Sequence, residues 1–242
     1  MKLLAVETAT EACSAALYID GIVTERFELT PNEHTRLILP MIDSLMSEAG
    51  LKPQQLDALA FGRGPGSFTG VRIATGVIQG IALGADLPVV PVSTLAAIAQ
   101  DFFDKNDDKV QGERFKAERS TFNVAFTAMD ARMGEIFWGV YQRDEQGFAE
   151  LIGKESVAPA ADVEFPDMTG VGIGSGWGVY RRELMIRLAG RVSYCEIDKQ
   201  LPRASAIARL GARGFEQGLA VAVEQAMPVY LRDKVAKKES ER

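Results

Sequence analysis

One glycine-rich stretch constrains how the first half of this chain folds. Residues 61–76 read FGRGPGSFTGVRIATG, which places five glycines and a proline between a strand-like apolar run and a helix-like one. Glycine permits tight turns and close backbone approach, and successive amides ahead of a helix can bind an anion. The stretch is neither a Walker loop nor G-x-G-x-x-G, since Ser67 stands where the last glycine belongs. It therefore predicts a strand–turn–helix unit that serves as a phosphate cradle or as part of a docking surface.

Strand and helix patterns alternate after an opening hairpin, whose two-residue turn is Asp20-Gly21. Strands are predicted at 2–6, 13–19, 22–29, 57–62 and 87–92. Helices are predicted at 35–49, 69–83 and 93–103, with Asn32 and Ser93 as N-caps and Pro40 causing a kink or a late start. A hairpin that leads into crossover helices is typical of a mixed sheet with helices on its faces.

The second half loosely repeats this order. A second hairpin is predicted from strands 121–129 and 135–142, and strand 171–173 leads through Gly174-Ser175-Gly176 into a helix at 179–188. A last helix at 204–219 and an extended piece at 228–232 follow. We therefore predict an N-terminal lobe, 1–103, joined by part of 204–232, and a C-terminal lobe, 121–203. The charged segment 104–120 is predicted to be a linker or insertion, and 233–242 a flexible tail.

Composition narrows the function classes. The chain has 33 acidic and 27 basic residues, a net charge of −6, which argues against broad, unassisted binding to nucleic-acid phosphates. The two cysteines, Cys13 and Cys195, suggest no disulfide framework. The first apolar run breaks at Glu7, so neither a signal peptide nor a membrane span is expected, and a cytoplasmic location is predicted.

The scarcity of histidine limits the chemistry further. His34 is the sole histidine, which leaves no recognisable metal-ligand spacing. Neither Ser67 nor Ser175 lies in G-x-S-x-G, so a serine triad is poorly supported. We therefore predict no catalytic and no metal-binding residues, and a structural or partner-facing role for His34.

Two helices carry more apolar or small surface than a single core requires. In the second helix, Gly76, Gly80 and Gly84 fall four apart on one face with Thr69 and Ile73, and glycines inside a helix need a compensating contact. The first helix is apolar over more than one stripe. The pattern favours either an intersubunit helix bundle or burial within the chain's own domain.

Several segments together resemble the bacterial TsaB (YeaZ) family. They are AVETATEACSAAL, NEHTRLILPMIDSLMSEAGL, AMDARMGEIFWGVY, PVYLRD and the whole of 56–100. The resemblance implies the α/β ASKHA fold of actin, heat-shock chaperones and sugar kinases, which is ribonuclease H-like, with two lobes of mixed β-sheet and helices.

The resemblance also implies a role. Family members are non-catalytic partners of TsaD, with which they form a heterodimer that transfers a threonylcarbamoyl group to the adenosine beside the anticodon of tRNA, together with the ATPase TsaE. ATP and a metal then belong to the partner subunits, and tRNA is met indirectly. Contact with TsaD, and with a second copy when the chain is alone, is implied for the first two helices. The candidate residues are Leu37, Met41, Leu45, Thr69, Ile73, Gly76, Val77, Gly80 and Gly84.

A weak nucleotide or phosphate contact is a second expectation. Kinases of this fold use D-x-G-T where this chain has Glu7-Thr8-Ala9-Thr10, and relatives wrap a nucleotide near Gly174-Ser175-Gly176, which serves equally well as a strand-to-helix turn. Arg63 and Arg72 flank the glycine loop and are candidates for a phosphate, a partner carboxylate or plain solvent. The alternatives to a scaffold are a peptidase-like or a small-molecule kinase-like enzyme.

Overall fold

The computed structural model describes residues 1–110, 123–195 and 200–232. Over these residues the chain forms two five-stranded mixed sheets and five α-helices, which confirms the predicted α/β class.

The first sheet is built on the predicted hairpin. Its strands are β1 (Lys2–Glu7), β2 (Ala12–Ile19), β3 (Ile22–Leu29), β4 (Ala58–Gly62) and β5 (Val89–Val92). They lie in the order β3-β2-β1-β4-β5. The pairs β1–β2 and β2–β3 are antiparallel, whereas β4 is parallel to β1 and to β5, with Ala5 opposite Ala60.

The second sheet repeats this topology. Its strands are β6 (Val124–Asp130), β7 (Glu135–Arg143), β8 (Ala149–Pro159), β9 (Gly170–Ile173) and β10 (Val192–Cys195), in the order β10-β9-β6-β7-β8. Again a two-hairpin antiparallel edge is followed by two parallel strands. The predicted relation between the two halves is therefore present in their strand order, although the sequence patterns had indicated neither β8 nor β10.

The helices are α1 (His34–Glu48), α2 (Phe68–Ala85), α3 (Thr94–Val110), α4 (Ser175–Arg187) and α5 (Ala204–Glu216). The first two cover one face of the first sheet, and α5 packs on its other face. In the second lobe, α3 and α4 cover opposite faces of the sheet. Because α3 and α5 also pack against each other, the molecule consists of two helix-sheet-helix sandwiches joined through a central helix pair.

The start of α1 differs from the prediction. Asn32 does not cap the helix; it has a positive φ of 66°, and Glu33 occupies the N-cap position without a side-chain hydrogen bond. The helix begins at His34 and continues through Pro40, so of the two predicted effects of Pro40, a kink or a late start, the late start is wrong. Ser93, by contrast, caps α3 as predicted, because its Oγ accepts hydrogen bonds from the amides of Leu95 and Ala96.

The predicted linker at 104–120 begins too early. Residues 104–110 continue α3, and 111–120 lie outside the described residues, as does the predicted tail 233–242. Asp104 pairs with Arg209 of α5, and the buried Asp101 pairs with Lys105 one turn later. The high charge content of this segment suggested that it is exposed to solvent. The amino-acid composition does not reveal that some of these charges form ion pairs within the fold. The helix itself packs on the second sheet rather than on the first, which moves it out of the predicted N-terminal lobe.

Candidate docking face and interlobe cleft

The glycine-rich turn between β4 and α2 lies directly on the turn between β1 and β2. The amide of Ser67 donates to the Ala9 carbonyl at 2.7 Å, and the Thr8 hydroxyl donates to the Gly70 carbonyl at 2.7 Å. Ser67 also caps α2, since its Oγ accepts from the Gly70 amide at 3.4 Å. These contacts join the two turns into one packed unit.

The close approach explains two of the glycines. A β-carbon on Gly70 would lie 2.1 Å from the Thr8 carbonyl oxygen, and one on Gly66 would lie 2.5 Å from the Ala9 carbonyl oxygen. Any other residue at either position would therefore overlap backbone atoms. The space beside these glycines is therefore occupied by the β1–β2 turn of the chain itself. In a phosphate-binding loop, a phosphate would occupy the corresponding space.

Glu7 and Thr8 are fully buried, so neither lines the open space between the lobes. The Glu7 carboxylate accepts hydrogen bonds from the Ala9 amide at 2.5 Å and from the Thr94 hydroxyl at 3.3 Å. Burial nevertheless raises the pKa of Glu7 to about 7, because removal from water disfavours the charged form more than these bonds favour it. This carboxyl is a structural group of the core.

The Gly174-Ser175-Gly176 turn is also used structurally. Gly174 and Gly176 are buried, and a β-carbon on Gly174 would lie 2.4 Å from the Ala128 carbonyl oxygen. The Ser175 hydroxyl accepts a hydrogen bond from the Asp130 amide at 3.2 Å. The turn thus brings the start of α4 against β6.

A cleft of about 990 Å³ separates the lobes, and Thr10 and Ser175 line it from opposite sides. The two arginines in its lining form ion pairs with acidic side chains. Arg132 pairs with Asp130 at 3.0 Å, and Arg232 pairs with Glu135 at 2.5 Å. Their charges are therefore largely compensated for any incoming anion.

His34 also lines the cleft, but its side chain is engaged in hydrogen bonds within the chain. It is buried, and its Nε2 donates to the carbonyl oxygens of Thr10 at 2.8 Å and Ala12 at 3.2 Å. Across residues 1–110, 123–195 and 200–232, no group of three or more His, Cys, Asp or Glu side chains is placed to hold a metal ion. The structural role predicted for His34 agrees with these bonds.

Helix α2 has one buried and one open side. Val71, Ala74, Ile78 and Ala82 are buried against the first sheet. On the opposite side, Thr69, Gly76, Gly80, Leu83 and Gly84 are exposed, and no atom lies within 4 Å of a β-carbon built on any of these three glycines. Ile73 and Val77 are partly buried at the edge. We call the exposed residues 69, 76, 80, 83 and 84 the α2 face.

The excess of apolar residues in α2 is measurable. The helix reaches a mean hydropathy of 1.3 over 18 residues, so by length and composition alone it meets the requirements for a membrane span. Its buried stripe belongs to the core of the first lobe, where soluble proteins also place such helices. The unusual feature is that a side so poor in charge remains open.

Helix α1 contributes less surface than predicted. Met41 and Leu45 are buried in the core of their own lobe, and Leu37 is partly buried against it. The apolar residues that suggested a docking role for α1 therefore pack into the core of the first lobe. Leu39, 56% exposed, is the large apolar side chain that α1 does present, and it was not among the candidate docking residues.

A cluster at the start of α2 was also missed in part. The Arg72 guanidinium lies 3.3 Å from the centroid of the Phe68 ring and 5.1 Å from that of Tyr230. Phe68 is the residue one turn before Arg72, but Tyr230 comes from the C-terminal segment, which the Val229 amide attaches to the Arg63 carbonyl at 2.8 Å. Only the folded chain brings Tyr230 to this position.

Comparisons with known proteins agree with this architecture. A family model described as "TsaD: tRNA N6-adenosine threonylcarbamoyltransferase" matches residues 16–240. The chain is 42% identical to tRNA threonylcarbamoyladenosine biosynthesis protein TsaB of Escherichia coli, over 98% of this chain and 96% of that protein. It is 37% identical to the protein of the same name from Haemophilus influenzae, over 97% and 95%.

A solved structure matches equally well. The structure of YeaZ from Pseudomonas aeruginosa aligns with a TM-score of 0.79 and 40% identity, covering 95% of this chain and 99% of that one. With the two mixed sheets and their flanking helices, these matches confirm the predicted ASKHA-type fold.

Proposed function

This chain belongs to the TsaB (YeaZ) family, and we propose that it takes part in tRNA threonylcarbamoyladenosine biosynthesis as a non-catalytic scaffold subunit. In this proposal it pairs with a TsaD-type subunit, which transfers the threonylcarbamoyl group to the adenosine beside the anticodon. A TsaE-type ATPase joins the same complex in the cytoplasm, and tRNA is bound mainly by the assembled complex.

The docking part of the proposal rests on the α2 face. Its three glycines expose helix backbone to open space, although each costs about 0.5 to 1 kcal/mol relative to alanine inside a helix. Small residues let a second helix approach closely, and Leu83, 75% exposed, offers apolar surface beside them. A partner helix laid along this face would account for both features. The same face serves a second copy of the chain when the partner is absent.

The non-catalytic part of the proposal is supported by the two turns that kinases of this fold use for phosphates. In this chain, Thr8 and Ala9 pack against the start of α2, and Gly174 and Gly176 pack against Ala128 of β6. A kinase-like function is disfavoured because Glu7 is buried away from the cleft. A peptidase-like function is disfavoured because the single histidine is bound to two backbone carbonyls.

The variant Gly80→Leu tests the docking proposal. A β-carbon at this position has no atom of the chain within 4 Å, so the variant should remain folded, with an unfolding midpoint no lower than that of the wild type. It should lose binding to a TsaD-type subunit, because the side chain projects where the partner helix approaches.

Arg182→Leu on α4 is the control, since this exposed residue lies in the second lobe and is not in the lining of the cleft that Thr69 borders. It should bind the partner like the wild type. If Gly80→Leu binds with unchanged affinity, the proposed interface is wrong.

A further inference from the structure

We propose that Arg72, stacked on Phe68 beside Tyr230, binds a carboxylate of the TsaD-type partner at the end of the α2 face. The inference rests on the proposed function. It adds that the Arg72 guanidinium fixes the position of the partner helix along α2. These three residues are called the arginine–aromatic cluster below.

The cluster holds the guanidinium in place. Its carbon lies 3.3 Å from the Phe68 ring centroid, and the Phe68 and Tyr230 rings are 5.8 Å apart at 38°. A guanidinium that lies flat on a ring keeps its in-plane N–H donors free, and a planar pair of such donors matches a carboxylate. Stacking also reduces the side-chain entropy lost on binding.

The donors of Arg72 are mostly unused within the chain. One N–H donates to the Phe68 carbonyl at 3.3 Å, and within 1–110, 123–195 and 200–232 no acidic side chain lies within ion-pair distance of it. Arg132 and Arg232, the nearby arginines of the cleft, both have acidic partners. Within the described residues, Arg72 is therefore an exposed positive charge that stacks on Phe68 and has no acidic partner.

A protein carboxylate fits this site better than a nucleic-acid phosphate. Binding to a phosphate backbone depends on several cations along a track, whereas the cluster offers one arginine and two aromatic rings in a chain of net charge −6. Arginine and tyrosine that lie together in a protein surface are typical of interface hot spots. Phe68 and Tyr230 are 56% and 47% exposed, so both rings present apolar area around the charge.

The position of the cluster joins it to the α2 face. Arg72 lies one turn before Gly76 on the exposed side of α2. The C-terminal segment is tied to the same helix, since the Gln79 side chain donates to the Ala226 carbonyl at 2.9 Å. A helix that docks on Gly76, Gly80 and Gly84 therefore reaches the cluster at its end.

The test is the dissociation constant of the full chain with a TsaD-type subunit of the same organism, measured by calorimetry. Arg72→Ala should weaken binding at least about tenfold, as truncation of a hot-spot arginine does. Arg72→Lys should restore only part of the loss, because an ammonium keeps the charge but not the planar pair of donors. Arg182→Ala, on the exposed side of α4, is the matched control and should bind like the wild type.

A charge exchange makes the test specific. Arg72→Glu should abolish binding, and an acidic-to-arginine change in the partner should restore it. The inference is overturned if Arg72→Ala binds within twofold of the wild type while Gly80→Leu fails to bind, an outcome that leaves the proposed function intact. It is also overturned if Arg72→Ala leaves partner affinity unchanged but weakens tRNA binding by the assembled complex, because the site would then bind phosphate. Unchanged binding by Gly80→Leu would instead contradict the proposed interface.

Discussion

At the scale of single residues, Glu7 shows that a motif position alone does not determine whether an acidic side chain faces the cleft or the core. The side chain stands at the end of β1, where kinases of the fold place an acid near phosphates, but here it is enclosed by Gly62, Ala9 and Thr94. A β-carbon on Gly62 would lie 1.9 Å from its Oε2. The sequence motif revealed the position of this acid but not its burial, which depends on a glycine 55 residues later.

Replacing Glu7 tests this burial through pH. Because the folded-state pKa is raised from 4.5 to about 7, the native state favours the protonated form. Its contribution to stability is present below pH 4.5 and is lost as the pH rises through 7. Glu7→Gln should therefore be more stable than the wild type at pH 8 by about 3 kcal/mol and close to it at pH 4.5. Urea unfolding at both values measures this, and a constant difference between the two proteins would refute it.

Two glycines of α2 should respond oppositely to alanine. Gly70→Ala forces a β-carbon into the Thr8 carbonyl, so the free energy of unfolding should fall by at least about 2 kcal/mol. Gly76→Ala meets no neighbour and gains helix propensity, so the same quantity should rise by about 0.5 to 1 kcal/mol. Chemical denaturation of both variants gives the comparison. Equal effects would show that the turns at 8–10 and 66–70 are not packed as described.

At the scale of elements, the strong local patterns predicted the structure well. The opening hairpin, α2 and the cap of α3 have clear turn, period and capping signals, and all three are present. Strand β8 was missed because apolar Leu151 and Ile152 are adjacent rather than alternating, and Gly153 has a φ of 80°. Its pairing with β7, which shifts register between Trp138 and Val140, is a tertiary property.

The same limit applies to the candidate site. The four-residue spacing of Gly76, Gly80 and Gly84 predicted either an intersubunit bundle or burial within the chain's own domain, and the structure leaves that face uncovered within the described residues. Period alone did not separate the buried stripe of α1 from its surface, so Met41 and Leu45 were assigned to docking although they lie in the core. Tyr230 could not be found, because its contact with Arg72 spans most of the chain.

The caps of α2 and α3 should differ in their effect on stability. Ser93 accepts bonds from two amides and also contacts the Tyr141 hydroxyl and Glu155 of the second lobe. Ser67 has a single long capping bond at 3.4 Å. Ser93→Ala should lower the unfolding free energy by about 1 to 2 kcal/mol, and Ser67→Ala by less. Thermal unfolding of the two variants checks the order, and a larger loss for Ser67→Ala would contradict it.

At the scale of the whole molecule, two sheets of the same topology are connected by helices that cross from one lobe to the other. Helix α3 leaves the first lobe to cover the second sheet, and α5 returns to cover the first. Arg213 of α5 bridges back to Asp144 of the second lobe at 2.5 Å. The cleft between the lobes is open, whereas Thr8 and Ala9 pack against the start of α2 and Gly174 packs against Ala128.

The isolated chain should consequently bind ATP poorly. Titration with ATP and Mg²⁺ by calorimetry should give no saturable signal at concentrations where a kinase of this fold would be saturated. Tight, stoichiometric binding would contradict this prediction and favour the kinase-like function.

The central claim is that α2 docks against a TsaD-type subunit. It is tested most directly by amide hydrogen exchange, measured on the chain alone and in the complex. We predict slower exchange in the complex over Phe68–Ala85 and around 227–230, with α4 unchanged. Slower exchange confined to α4 or the second sheet, with Phe68–Ala85 unaffected, would contradict the claim.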